Sequence, residues 1–427
     1  MSTGARVIPH VTCLGCGCAC DDITATVRDG RITDVDSACE LGRQWFGDGT
    51  VPSAIRSAGE SVPLDRAIAD SAALLAAARR PLVYLAPELS CETQRAAVSL
   101  ADAARAMLDS VSSSTIAEAL VAAQRRGRMG ATLGEVRHRA DLLLYWGIDP
   151  ARRYQRFSSR FAPDPPGLFV GSGRSARAII AIDIGDEYGP RNADLRVRVS
   201  PDEERSALAI LRAIVLGRPL GDILGNDLMR RMSRVAEKLV SGRYVVIIND
   251  AEPAAHPRGD RADGLIALTE ALNATTRAAM CSLRAGGNRA GADAVLTWQS
   301  GFPMSVDYAR GAPRYRPEAG AMRLLETREV DLAVVIGAPR ELPTPVQETL
   351  RSTRRVAVGP RVSESALASS DVAIDTGVPG IHENGMALRM DDLPLPLRQV
   401  VSGPLSTLDV IQAIERQYRS LVRGAGA

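Results

Sequence analysis

Four of the chain's seven cysteines stand within eight positions in VTCLGCGCACDDI, residues 11–23, and a fifth follows at Cys39. Cys13, Cys16 and Cys20 have C-x2-C-x3-C spacing. A loop so spaced can turn three thiolates toward one point while a later segment supplies the fourth, which is what a [4Fe–4S] cluster requires. Tetrahedral zinc makes similar demands, although its usual signature is two C-x2-C pairs, which this sequence lacks. An emptied site is a third reading, and Cys18 leaves the choice of ligands open. An odd number of cysteines gathered at one end of the chain argues against a disulfide framework and for metal ligation.

Other candidate groups stand alone. Cys91, in PELSCETQ, falls where a helix should begin, behind Ser90 as a cap. A helix N-terminus lowers a thiol pKa, and the plainer reading is a small buried residue at a strand-to-helix junction. Cys281 reads as core. His138 and His382 accompany no nucleophile or carboxylate arrangement and read as structural. Arg310, Arg314 and Arg316 in YARGAPRYRP, with the glycine-rich RAGGNRAGAD, could line a groove for a polyanionic carrier. A glycine turn and solvated arginines explain the same residues.

These groups must be positioned by a chain of 427 residues, more than one core usually serves, so two or three domains are expected. Its net charge is +2 with both signs interspersed, and Lys238 is the sole lysine. No basic stripe suited to nucleic acid is present. No run of 18 apolar residues suggests a membrane span, and MSTGARVIPH lacks a signal-peptide core, so a cytoplasmic protein is expected.

After the cysteines, ITATVRDGRITDV reads as two strands joined by Asp29-Gly30, a hairpin signal. Short apolar runs follow: PLVYLAP, DLLLYWG, AIIAIDI, YVVIIND, DLAVVIG and RVAVG, separated by helical stretches such as LDRAIADSAALLAAARR. That alternation predicts α/β architecture with parallel sheets covered on both faces, two of them here. Ser200, Pro201 and the acids after them mark a helix start. The final VRGAGA reads as disordered.

The cysteine module followed by paired α/β domains resembles the molybdopterin oxidoreductases, and specifically the B subunit of formylmethanofuran dehydrogenase. The stretches that carry the likeness are CDDI…VRDGRITDVDSAC, ATLGEVRHRADLLLYWGIDP, RAGGNRAGADAVLTWQSGFPMSVDYARGAPRY and ENGMALRMDDLPLPLR. The resemblance implies an iron–sulfur-type module over residues 1–50. A first Rossmann-like domain would join residues 51–110 to 242–350, a second would span 111–241, and a C-terminal segment, 351–427, would return to the module. The family's C-terminal cap domain would lie on another subunit. Cys13, Cys16, Cys20 and Cys39 are then the implied cluster ligands.

In that family a tungsten or molybdenum ion sits between two pterins and takes a cysteine ligand from an S-V-C-H-G-P segment. The matching LDSVSSSTIAEAL puts Ser112 at the metal-ligand position and Ser113 in place of the histidine. Asp149 in WGIDP replaces an amide, and Asp186 and Glu187 stand where the family carries phosphate-binding cation and hydroxyls. Carboxylates are unfavourable beside pyrophosphates. These departures imply that the molybdenum or tungsten pterin is absent and Ser112 is vestigial. They resemble the B subunit of the bacterial formyltransferase/hydrolase complex, a soluble assembly with other subunits in tetrahydromethanopterin-linked one-carbon metabolism. The expected role is a redox-inactive scaffold. The alternative is an active B subunit of formylmethanofuran dehydrogenase, oxidising a formyl group to carbon dioxide.

Overall fold

The structure, a computed structural model, describes residues 4–220, 226–252 and 259–425. It divides into two compact units, Met1–Ala117 with Ala285–Ala427, and Glu118–Arg284.

The first unit opens with β1 (Arg6–Val11), β2 (Ile23–Arg28) and β3 (Arg31–Asp36), a three-stranded antiparallel sheet. Asp29 and Gly30 turn β2 into β3 with φ of 48° and 76°. Both values lie in the left-handed region that a tight hairpin turn needs. The cysteine loop fills the gap between β1 and β2, and Cys39 stands at the N-cap of the helix Glu40–Phe46. The chain then forms β4 (Ile55–Ser57), β5 (Glu60–Ser61), β6 (Pro81–Leu85) and β7 (Met107–Ser110).

The second unit contributes β8 (Leu142–Trp146), β9 (Ala178–Ile184), β10 (Leu195–Val199), β11 (Tyr244–Asp250) and β12 (Arg277–Leu283). All are parallel, in the order β10-β9-β8-β11-β12. Ser200 and Glu203 form a reciprocal capping box ahead of the helix Glu204–Val215, in line with the helix start expected there. The domain boundaries expected from sequence return the chain to the first domain at residue 242. Instead β11 and β12 extend this sheet from β8, and the return comes at Ala285. A strand's own composition carries no mark of which sheet it joins, so periodicity does not place that boundary.

Back in the first unit the chain adds β13 (Val306–Asp307), β14 (Arg314–Tyr315), β15 (Leu332–Ile336), β16 (Arg355–Gly359) and β17 (Val372–Asp375). These complete a nine-stranded sheet, β14-β13-β7-β6-β15-β16-β17-β4-β5, parallel through its middle from β7 to β17. A hairpin of β18 (Gly385–Leu388) and β19 (Pro394–Leu397) precedes the helix Thr407–Ala425. The segment expected to run from residue 351 back to the cysteine module therefore gives two strands to the sheet first. The terminal helix also continues through VRGA, where disorder was expected; residues 426 and 427 lie outside the described residues.

Strands β6, β15 and β16 are buried along their whole length because helices cover both faces. Val83, Leu85, Val334, Ile336, Val356 and Val358 enter one core. Leu82, Tyr84, Ala333, Val335 and Ala357, alternating with them, enter the other. The fold is thus α/β with parallel sheets.

One cap gives the fold a measurable pH dependence. Glu383 accepts the Thr407 N–H at 2.9 Å at the start of the terminal helix, and burial pushes its carboxyl up to about 7 from an ordinary 4.5. Between those values the native chain holds a proton that the unfolded chain releases, so this group's contribution falls as pH rises to 7. Neighbouring His382 has the opposite slope. Burial lowers its pKa below 6.5, so its contribution is lost as pH falls through that value. Glu383→Gln keeps the acceptor and removes the charge. In thermal melts it should match the wild type near pH 4.5 and exceed it by on the order of 1–3 kcal/mol at pH 8, at 1.36 kcal/mol per pKa unit.

Candidate functional site

In the nine-stranded sheet, β7 lies on one side of β6 and β15 on the other, so strand order reverses there. Ligands of open α/β sheets bind beyond the carboxyl ends of the strands at such a reversal. In this chain the cysteine loop packs against the turns at those ends. Gly287 N–H donates to the Leu14 carbonyl at 2.9 Å, and Glu88 N–H donates to the Gly287 carbonyl at 2.8 Å. A Cβ on Gly286 would lie 2.1 Å from the Leu14 oxygen, and one on Gly287 would lie 2.5 Å from Pro87 Cβ. The glycine pair of RAGGNRAGAD is therefore required by backbone approach. The terminal hairpin closes the other side: Met390 N–H donates to Gly17 O at 3.2 Å, and Thr12 Oγ1 donates to Pro396 O at 2.8 Å.

Glu88, which no sequence motif marks, stands in the turn after β6 with φ of 64° and 3% exposure. Its Oε1 accepts from Trp45 Nε1 at 3.1 Å and faces Arg340 at 3.5 Å, in the turn after β15. Its Oε2 has no hydrogen-bond partner among the described residues. Burial pushes the carboxyl up, against the pull of Arg340.

Of the four expected ligands, Cys13 and Cys20 are buried and Cys16 and Cys39 half-buried. Cys13 N–H donates to Cys20 O at 2.9 Å, closing the loop, and Gly15 N–H donates to Cys13 Sγ at 3.3 Å. The Cys13 and Cys39 sulfurs lie 3.5 and 3.9 Å from the point a Cβ on Gly42 would occupy. Burial pushes the Cys13 thiol well up, and charge on Cys16, Cys20 and Cys39 raises it further. Among the described residues no three His, Cys, Asp or Glu side chains converge closely enough to hold a metal ion.

Ser112 is buried at the start of a four-residue helix after β7, and its N–H donates to Ser110 Oγ at 3.3 Å. Ser113 Oγ donates to Asp109 Oδ2 at 2.6 Å. Asp109 also accepts from the N–H groups of Ser110 (2.9 Å), Ser305 (3.0 Å) and Ala321 (2.6 Å). Burial raises its pKa despite those donors. Asp109, also unmarked by any motif, thus fixes the segment that carries Ser112. The available signal was an acid at the carboxyl end of a short apolar strand.

In the five-stranded sheet the reversal lies between β8 and β11. Here Asp149 accepts from Ala151 N–H at 3.0 Å, capping a short turn. Asp186 accepts from Tyr188 Oη at 3.4 Å, and Glu187 from Arg261 at 2.6 Å. Arg261, 4% exposed, also pairs with Glu204, whose Oε1 accepts from Trp146 Nε1 at 2.7 Å. Burial alone would lower the Arg261 pKa, and the two carboxylates outweigh it. Arg153 pairs with Asp250, and Arg284 with Glu252 at 3.5 Å. The three arginines are neutralised by the protein's own acids.

The remaining candidates are structural. Cys91 is buried, its thiol pushed up by burial, and it receives a long contact from Asn288 Nδ2 at 3.6 Å. Asn288, left-handed at φ 62°, also donates to Leu89 O and accepts from Leu388 N–H, both at 2.8 Å. Cys281 is buried in β12. His382 accepts from Val378 N–H at 3.0 Å through Nδ1, leaving Nε2–H to donate to Gly49 O at 2.8 Å. Arg310 and Arg314 are exposed, whereas Arg316 pairs with Glu318 and Asp307.

This arrangement defines a class: two parallel α/β sheets, the carboxyl ends of one covered by a cysteine-rich module and those of the other occupied by ion pairs. No family model matches the chain. It is 29% identical over 419 residues to the B subunit of tungsten-containing formylmethanofuran dehydrogenase 2 from Methanocaldococcus jannaschii, covering 94% of this chain and 96% of that one. The protein of the same description from Methanococcus maripaludis is 27% identical over 93% of this chain and 95% of its own length. The B subunit of the formyltransferase/hydrolase complex Fhc of Methylorubrum extorquens is 29% identical over 77% of this chain and 86% of its own. Among solved structures, the FhcABCD complex of M. extorquens with methylofuran holds a chain of the same fold, with TM-score 0.73 and 23% identity, over 86% of this chain and 99% of that one. The chain is a homologue of these B subunits. Among the described residues no helix is long and apolar enough to cross a membrane.

Glu204→Ala would leave Arg261 buried with Glu187 as its remaining carboxylate. The expected loss in urea unfolding is about 3–5 kcal/mol, the range for breaking one side of a buried pair.

Proposed function

We propose that this chain is the B subunit of a formyltransferase/hydrolase-type complex in tetrahydromethanopterin-linked one-carbon metabolism, the route of formaldehyde oxidation, and that it serves there as a redox-inactive scaffold. The observation that carries the reading is the set of ion pairs at the carboxyl ends of β8 and β11. A bis-pterin cofactor brings pyrophosphates, which need cationic or amide donors. Arg153, Arg261 and Arg284 are already paired with Asp250, Glu204, Glu187 and Glu252. Admitting a polyanion would leave those carboxylates buried beside it. Ser112 and Ser113 lie in the hydrogen-bonded segment held by Asp109 and present no thiolate or imidazole to a metal. The residues present do not fit a tungsten or molybdenum pterin, and no redox step is assigned.

The cysteine module is a separate matter. Sulfurs around one tetrahedral zinc stand about 3.8 Å apart, given a Zn–S bond of about 2.3 Å. In a cuboidal cluster each thiolate binds a different iron and the sulfurs stay farther apart. The C-x2-C-x3-C spacing of Cys13, Cys16 and Cys20, with Cys39 at the start of the next helix, suits the cluster better than the paired C-x2-C of zinc. Cys13, Cys16, Cys20 and Cys39 would hold it, and it would supply a staple for the module rather than an electron route. The scaffold works in the cytoplasm with the complex's other subunits, and neither nucleic acid nor membrane is a partner.

The active-dehydrogenase alternative draws support from the two tungsten-named relatives, which align over more of this chain than the Fhc protein does. Elemental analysis of the intact purified complex for tungsten, molybdenum, iron and zinc, with a pterin fluorescence assay, separates the two. The scaffold reading expects no stoichiometric tungsten, molybdenum or pterin, and about four irons per chain if the staple is present. Stoichiometric metal with pterin overturns it.

A further inference from the structure

Large apolar side chains rarely crown a rigid surface turn, yet Leu168 is 80% and Phe169 61% exposed. They are the middle residues of a tight turn closed by Gly167 N–H to Val170 O at 3.2 Å and Val170 N–H to Gly167 O at 3.3 Å. Turn positions usually hold Gly, Asn, Asp or Ser, for conformational reasons and for solubility.

The turn is held firmly. Gly167 lies so close to the end of the helix Leu133–Arg139 that a Cβ would stand 2.2 Å from the Arg137 carbonyl oxygen. Leu168 N–H donates to His138 Nδ1 at 3.3 Å, and Phe169 N–H to His138 O at 3.0 Å. Arg177, buried beneath, donates to the carbonyls of Arg137 (2.6 Å), Ala140 (3.1 Å), Pro163 (2.6 Å) and Pro165 (2.7 Å). The Arg139 guanidinium lies 5.4 Å from the centre of the Phe169 ring. Arg139 is exposed and makes no ion pair among the described residues. A firmly held, exposed phenylalanine beside an arginine with no ion pair matches the enrichment of aromatic residues and arginine at interfaces, and pre-organisation removes the entropy loss of ordering.

We infer that Leu168 and Phe169 form a docking knob for another subunit of the complex, one presenting a shallow apolar pocket with a carboxylate at its rim to meet Arg139. The unpaired charge selects that partner chemistry: an acidic rim gains an ion pair, whereas a basic rim would repel Arg139. The inference rests on the complex-subunit reading proposed above.

The test is co-purification of the full complex from cells expressing all its subunits, with the tag on this chain. The variants are Leu168→Asp/Phe169→Asp, Arg139→Glu, and Trp298→Ala as a control at another exposed apolar residue. The double variant should melt close to the wild type, because both side chains are largely exposed and the turn is held through its backbone, and recover at least tenfold less partner. Arg139→Glu should lower recovery severalfold in low salt, with the deficit shrinking as salt rises. Trp298→Ala should recover normally. Undiminished recovery with the double variant overturns the knob alone. Failure of the wild type to recover any partner overturns the complex reading and the knob together. If the wild-type chain alone is a dimer that the double variant converts to monomer, the occupant is a second copy and the assignment to another subunit is overturned.

Discussion

The contact on which the cysteine module depends is one between backbones. Leu14, Gly286, Gly287, Pro87 and Glu88 approach so closely that side-chain carbons at either glycine would collide with main-chain or proline atoms. Two hydrogen bonds then run in series, Gly287 to Leu14 and Glu88 to Gly287. This seats the cysteine loop on the carboxyl ends of the central strands of its sheet. Asn288 turns left-handed directly after the pair and ties the helix Cys91–Ala103 to β18 through Leu89 and Leu388. The order of Gly, Gly and Asn therefore follows from packing, without appeal to a ligand.

Both sheets reverse strand order where α/β proteins commonly bind ligands, and in each the place is taken by the chain itself. In the nine-stranded sheet it is covered by the cysteine module, held through Trp45, Glu88 and Arg340. In the five-stranded sheet it is held by arginines and acids. Buried pairs of that kind contribute little net stability relative to apolar packing, yet removing one partner is severe. A site closed in this way is hard to reopen by single substitutions at Arg261, Arg284 or Arg153, because each one strands a buried carboxylate.

Much of the fold is legible in the sequence, for a simple reason. The six apolar runs PLVYL, LLLYW, AIIAIDI, YVVIIND, LAVVI and RVAVG all become strands of parallel sheets, since only a strand covered on both faces tolerates such uniform composition. The strands without such a mark, MLDS, LRVRV, RAAMCSL and VAID, are short, interrupted by charge or, in RAAMCSL, built of small residues without a β-branched run. Asp109, in MLDS, and Asp183, in AIIAIDI, show why charge within a strand misleads. Each is an acid within a strand whose partners, Ala321 and Ser305 for one and Arg196 for the other, lie well away in sequence or on the next strand. The placement of β11 and β12 was illegible for a related reason, because sheet membership is fixed by register with a partner strand. Among site residues, the loop position of Cys13, Cys16 and Cys20 and the helix-start position of Cys39 follow from the sequence. Glu88, Glu204 and Arg261 carried no motif at all.

The size of the module gives a group bound at its cysteines a structural task. Its sheet has three strands of six residues, with β1 largely exposed, and its core rests on Val11, Ile23, Ala25, Val27, Ile32, Val35 and Phe46. A sheet this small is marginal without a second layer or a cross-link. The module has one short helix, and most of its remaining support comes from contacts beyond residue 50, through Glu88, Gly287, Met390, Pro396 and His382. Those contacts form only once the distant segments have folded. A group bound by Cys13, Cys16, Cys20 and Cys39 would join both ends of the loop to the start of the helix and hold the module together before that docking. Binding to the folded arrangement alone converts ligand affinity into fold stability. Such a staple needs no electron to pass through it.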